Sequence, residues 1–140
     1  MFYHDSSKYT EEPSKKFKLI PENFWVPFEI VDAEELESKS GMPMIKCVCQ
    51  VIKDPSYAGT KVWHYVTFFP EGHKAFGMSI HFRKSIGQPF GGNDLIDHLK
   101  WIGCKFMGKV GIDEYKGKQN NKIKEVSPIP WAEKEDEIPF

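Results

Sequence analysis

Hydrophobic positions in this chain recur mostly every second residue, and that spacing predicts short strands. From Phe24 to Val31 the apolar row Phe24, Val26, Phe28 and Ile30 alternates with Trp25, Pro27, Glu29 and Val31, as in a half-buried strand. Pro27 cannot donate to a ladder, which points to an edge or a bulge. Residues 37–41 (Glu-Ser-Lys-Ser-Gly) form a turn, with Gly41 suited to positive φ. A second strand runs from Met44 to Ile52, with Ile45, Cys47, Cys49 and Val51 on one face and Met44, Lys46, Val48 and Gln50 on the other. After a loop from Asp54 to Thr60, a third strand covers Lys61 to Phe69. Its dense aromatic and β-branched content suits a pleated surface. One face carries Val62, His64, Val66 and Phe68; the other carries Lys61, Trp63, Tyr65, Thr67 and Phe69.

The period then changes. Phe76 and Ile80 lie four apart, and His73 to Ser85 reads as a helix despite Gly77. Residues 87–92 break it. Asn93 is placed to cap a short second helix with Leu95, Leu99 and Ile102 along one side. Strand character returns from Cys104 to Glu114, a turn follows over Lys116 to Asn120, and a last strand covers Asn121 to Val126. Three strands, helical material and two strands make the order of an OB-fold. The expected class is therefore mainly β: a five-stranded OB-fold barrel with a helical segment between strands three and four, followed by a flexible acidic tail.

A length of 140 residues suits one domain. We expect residues 1–130 to form it, with residues 1–17 a loose arm; Lys15 and Lys16 in it, and Lys18 just after it, read first as solvated charges. Residues 131–140 are expected to be a disordered tail. The formal net charge of −1 hides an asymmetry: Ala132 to Phe140 carries a net of −3, and the remainder +2. Three cysteines and a polar start without a hydrophobic leader point to reduced thiols in the cytoplasm. No apolar run has the length of a membrane span.

On an OB-fold the usual oligonucleotide platform is the outer face of strands two and three with adjoining loops, and such a platform needs aromatic faces for bases and cations for phosphates. Trp63 and Tyr65 share a face of strand three, with Lys61 before them and Lys46 on strand two. With aliphatic residues turned inward, this pair becomes a stacking platform. The opposite orientation would bury the aromatics instead. Tyr57 in a loop, Arg83 and Lys84 late in the helix, and Lys109, Tyr115, Lys116, Lys118 and Lys122 around the closing hairpin complete the candidate DNA contacts. Trp25 and Trp131 suit either the core or stacking.

Residues 28–34 (Phe-Glu-Ile-Val-Asp-Ala-Glu) and 39–46 (Lys-Ser-Gly-Met-Pro-Met-Ile-Lys) resemble the opening hairpin of a bacteriophage family of single-stranded-DNA-binding, recombination-associated OB-fold proteins. Residues 103–109, 114–118 and 121–124 are similar to that family's closing hairpin, so the resemblance covers roughly Leu19 to Pro128. It implies a protein that coats single-stranded DNA in phage replication, recombination or repair. The end of the chain, Glu135, Asp136, Glu137, Ile138, Pro139 and Phe140, resembles the tip of bacterial single-stranded-DNA-binding proteins, which docks replication and repair enzymes. A terminal Phe ring can fill an apolar pocket while its carboxylate meets a cation. The body is unlike the bacterial proteins, so their tetrameric assembly does not carry over, and homo-oligomerisation stays open.

Other chemistries are expected to be absent. The C-x-C pair Cys47 and Cys49, with Cys104, lacks the spacing of a zinc site, so no metal or cofactor is assigned. No P-loop, Gly-x-Ser-x-Gly or HExxH occurs. Glu34 and Glu35 are adjacent, and His64, His81 and His98 have no evident nucleophile partner. No catalytic residue is therefore assigned. The competing reading is a non-catalytic adaptor that binds protein, or RNA, on the same fold.

Overall fold

The computed structural model describes residues 1–5, 7 and 19–130. Expectations for the remainder of the N-terminal arm, for Trp131 and for the tip Glu135–Phe140 lie outside the described residues. Five strands make one antiparallel sheet: β1 (Trp25–Glu37), β2 (Pro43–Val51), β3 (Lys61–Thr67), β4 (Lys105–Tyr115) and β5 (Lys118–Ser127). They lie in the order β3-β2-β1-β4-β5. A helix, α1 (Phe76–Ile86), and a 3-10 turn (His98–Trp101) separate β3 from β4. The order is consistent with an OB-like fold, with β3 and β5 as the two outer strands of an open sheet.

The predicted alternation holds closely on β2 and β3. Ile45, Cys47, Cys49, Val51, Val62 and Val66 are buried, joined in the core by Val26, Phe28 and Ile30 of β1. Their rings continue the packing: Phe28 stacks on Phe106 with centroids 5.5 Å apart, and Phe82 lies 5.3 Å from Phe106 and 5.6 Å from Trp101. Gly108 leaves room for this, because a Cβ there would sit 2.7 Å from the Phe28 ring. Before β1, Ile20 is clamped by Asn121 of β5. The Ile20 N–H donates to Oδ1 at 2.8 Å, and Nδ2 donates to the Ile20 carbonyl at 2.9 Å.

Several expected details are corrected. Pro27 lies in the central strand, buried, and the bulge falls between Ile30 and Asp32. The strand tolerates the proline because pairing with β2 begins only at Phe28, while the Pro27 carbonyl still accepts from the Ile52 N–H at 2.9 Å. Phe24 precedes the strand and is half exposed, meeting Tyr57 edge-on at 6.3 Å. The helix begins at Phe76, not His73, and buries Ser79, Phe82, Arg83 and Ile86, with Phe76 partly exposed. That spacing of three and four is the helical stripe, but it is carried by residues other than Phe76 and Ile80. Gly87 at φ 80° ends the helix, and the Gln88 N–H bonds back to the Arg83 carbonyl.

Asn93 caps nothing here. Asp97 accepts from the Leu99 N–H and opens the 3-10 turn, whose one buried side chain is Trp101. Leu95, Leu99 and Ile102 are exposed. The large indole anchors this connector, and the turn is too short to sustain an apolar stripe. The closing hairpin is tighter than expected: Tyr115 pairs with Lys118 around a two-residue turn, Lys116 and Gly117, at φ 51° and 77°. Two successive positive φ values match the right-handed twist of the strands, so pairing starts at Lys118 and not at Asn121.

Candidate nucleic-acid interface

Strand register sets the outward face as a series of rows. Gln50 pairs with Lys61, Val48 with Trp63, and Lys46 with Tyr65 across β2 and β3. On the far side of β2, Glu29 pairs with Gln50, Asp32 with Val48, and Glu34 with Lys46. Lys105 of β4 faces Glu29. The first row thus runs Lys105, Glu29, Gln50, Lys61. The second runs Asp32, Val48, Trp63, and the third Glu34, Lys46, Tyr65. Strands lie about 4.8 Å apart, so each aromatic residue sits about 10 Å across the sheet from a carboxylate-bearing position.

Trp63 and Tyr65 are 50% and 52% exposed, while Val62 and Val66 beside them are buried. The aliphatic residues fill the core and the two rings stand on the surface, two residues apart on one strand. The β1 to β3 part of this face carries two lysines, Lys46 and Lys61, and three carboxylates, Glu29, Asp32 and Glu34. Counted from the β3 edge, the lysines of β3 and β2 come before the carboxylates of β1.

The carboxylates were not singled out from the sequence as part of this face. Strict alternation from Phe28 and Ile30 would turn Asp32 and Glu34 inward. The bulge at Val31 reverses the parity, so Asp32 and Glu34 point to solvent and Ala33 inward. The signal was available, because two unpaired carboxylates cannot continue a buried row without a large desolvation penalty.

The other expected contacts divide into groups. Tyr115 is 70% exposed at the tip of the closing hairpin, with the Lys116 ammonium 5.3 Å from its ring centroid and Lys118 opposite. Lys122 and Lys109 are on the same hairpin but face acids, Asp113 at 2.7 Å and Glu125 at 3.9 Å. Lys84 is exposed, with its ammonium 5.9 Å from the Phe90 ring. Tyr57 is partly buried and packs against the core. Arg83 departs most from expectation. It is 8% exposed, lies 3.6 Å from Asp94, donates to the Ser79 and Pro89 carbonyls, and sits over the Phe68 ring. Helical periodicity carries it into the core side of α1, where these partners hold its charge.

Between β3 and β5 lies a cleft of about 270 Å³ lined by His64, Met78, His81, Phe82, Lys124, Glu125 and Val126. His64 stacks on Phe82 at 5.1 Å, and burial pushes its pKa down to about 4. His81 Nε2 lies 3.0 Å from the Val126 carbonyl, linking α1 to β5. Burial raises all three thiols, Cys47 to about 12 and Cys49 well above its ordinary value, with Cys104 raised as well. Among the described residues no group of three or more His, Cys, Asp or Glu could hold a metal ion, and no helix is long and apolar enough to cross a membrane.

No protein-family model matches the chain, and no curated protein matches it at a significant level.

Proposed function

We propose that this chain binds single-stranded DNA without a fixed sequence, on an OB-type barrel open at the β3 and β5 seam, and recruits other proteins through its acidic end. The observation that carries the reading is the outward placement of Trp63 and Tyr65 on β3, each about half exposed, with Lys61 and Lys46 on the same face. An unpaired strand offers base faces to such rings and phosphates to such cations. This is also the surface that OB-folds commonly use for oligonucleotides, together with the loops joining strands one to two and four to five. Here those loops bring Lys39, and Lys116 beside Tyr115.

The resemblance of both hairpins to a phage family supplies the setting: coating of transient single strands during replication, recombination or repair in the cytoplasm of an infected bacterium. The sequence from Glu135 to Phe140 supplies the recruiting element. In this reading the chain binds and organises, with no bond-making chemistry of its own. A protein-binding adaptor is the second reading, and the three carboxylates on the outward face favour it, because they oppose phosphate.

Titration of the intact protein with fluorescent mixed-sequence and dT oligonucleotides, and with a matched duplex, separates the two. Salt-sensitive preference for single strands, with quenching of tryptophan emission, supports the first reading. A folded protein that binds neither form of DNA rejects it.

A further inference from the structure

The carboxylates facing the aromatic pair pose a physical problem that the rows themselves resolve. A surface that recognised only the phosphate backbone would gain from cations at every position, because each phosphate neutralised adds to affinity. Here Asp32 shares a row with Trp63, and Glu34 shares one with Tyr65. Both acids are exposed. Ala33 between them points into the core, so the two carboxylates stand on the same side as the two rings. One Asp32 carboxylate oxygen, Oδ1, accepts from the Ala33 N–H at 2.9 Å, which fixes the group and leaves Oδ2 as a further acceptor.

We propose that Asp32 and Glu34 read the edges of bases stacked on Trp63 and Tyr65, so that the protein prefers bases with an exocyclic amino group, such as cytosine, over thymine. The inference rests on the single-stranded-DNA reading above. A base lying on either ring and extending across β2 directs its hydrogen-bonding edge towards β1. Cytosine presents its N4 amino group there, a donor that a carboxylate accepts. Thymine presents O4 in that place, and two acceptors facing each other repel. Stacking itself is tolerant, since every base has a π face, so the discrimination belongs to the carboxylates. With the base edges turned to β1, the phosphates lie towards β3, where Lys61 stands. The carboxylates then select base composition and orient the strand, without specifying a sequence.

The test uses the intact protein and dC, dU and dT oligonucleotides of one length, at neutral pH or above, with native protein and with the double variant Asp32→Asn, Glu34→Gln. Comparing dC with dU takes the thymine methyl out of the comparison and leaves the change of the N4 amino group to O4, with N3 turned from an acceptor into an N–H donor. The native protein is expected to bind dC at least about fivefold more tightly than dU or dT, the low end for one side-chain contact to a base. In the variant the ratio should fall towards one, chiefly through tighter binding of dU and dT. Because both side chains are exposed, the variant is expected to keep its fold, and its circular dichroism checks this. Equal native affinities would overturn the inference. So would a variant in which all three affinities rise together, since the acids would then only repel phosphate. Binding to none of the three would remove the single-stranded-DNA reading itself.

Discussion

Strand β3 turns two unlike faces to its surroundings. Inward, Val62 and Val66 are sealed into the core and His64 stacks on Phe82. Outward, Lys61, Trp63 and Tyr65 stand at the surface beside Lys46. The same seven residues thus divide into a row that stabilises the fold and a row left exposed. Large aromatic residues normally bury much of their surface when a core has room. Here the core is already filled by Phe28, Phe82, Trp101 and Phe106, so two more rings on β3 remain outside. If the division is real, substitutions on the two rows should separate stability from binding.

The inward row should give the largest effects. Phe82→Ala removes a ring that touches His64, Trp101 and Phe106 at once, and should lower stability by about 3–5 kcal/mol. Urea unfolding measures this, and the fraction that stays folded should keep the native affinity for DNA. His64 gives the next effect. Its folded pKa of about 4 lies below the ordinary 6.5, so the unfolded chain binds the extra proton first. The stabilisation is complete above pH 6.5 and is lost as pH falls towards 4, to a total of about 3 kcal/mol. His64→Phe should flatten that part of the stability profile. An unchanged acid slope in the variant would show that His64 is not its source.

How far the sequence reveals this division depends on where its period is uninterrupted. On β2 and β3 the side chains alternate without a break, and period two separates Cys47, Cys49, Val62 and Val66 from Lys46, Val48, Trp63 and Tyr65 without knowledge of any partner strand. On β1 one extra residue at Val31 reverses the parity, and the acids that share rows with the aromatics are hidden from a straight alternation. Arg83 shows a different limit. A guanidinium late in a helix reads as a surface charge, yet Asp94, two carbonyls and the Phe68 ring satisfy it at 8% exposure. Those partners lie up to fifteen residues away, beyond what helical spacing can show. The connector after α1 fails for a third reason: Leu95, Leu99 and Ile102 have the right spacing, but the indole of Trp101 decides which side is buried.

The outward row gives the next effects, and they should appear in binding alone. Trp63→Ala and Tyr65→Ala should each weaken binding to single strands by about 1–3 kcal/mol. Their half-exposed side chains contribute little to the core, so the unfolding midpoint should move far less than for Phe82→Ala. Trp63→Phe keeps a π face and should restore much of the affinity. Loss of stability equal to the loss of affinity would erase the contrast between the two rows. Fluorescence adds a check: if Trp63 is the stacking tryptophan, Trp63→Ala should remove most of the quenching that DNA produces.

The smallest effects belong to single lysines, and they sharpen the comparison by testing charge instead of stacking. Lys61 stands on the aromatic face, whereas Lys122 is held 2.7 Å from Asp113 on the closing hairpin. If Lys61 meets a phosphate, Lys61→Ala should reduce the slope of log affinity against log salt by about 0.7. Lys122→Ala should change that slope less, because Asp113 already neutralises much of the charge that a phosphate would see. Both members of that pair are exposed, so its loss should alter stability by no more than about 1 kcal/mol. Equal slope changes for the two variants would place DNA along the β4 and β5 hairpin as much as along β3, and the ligand path would then have to cross both ends of the sheet.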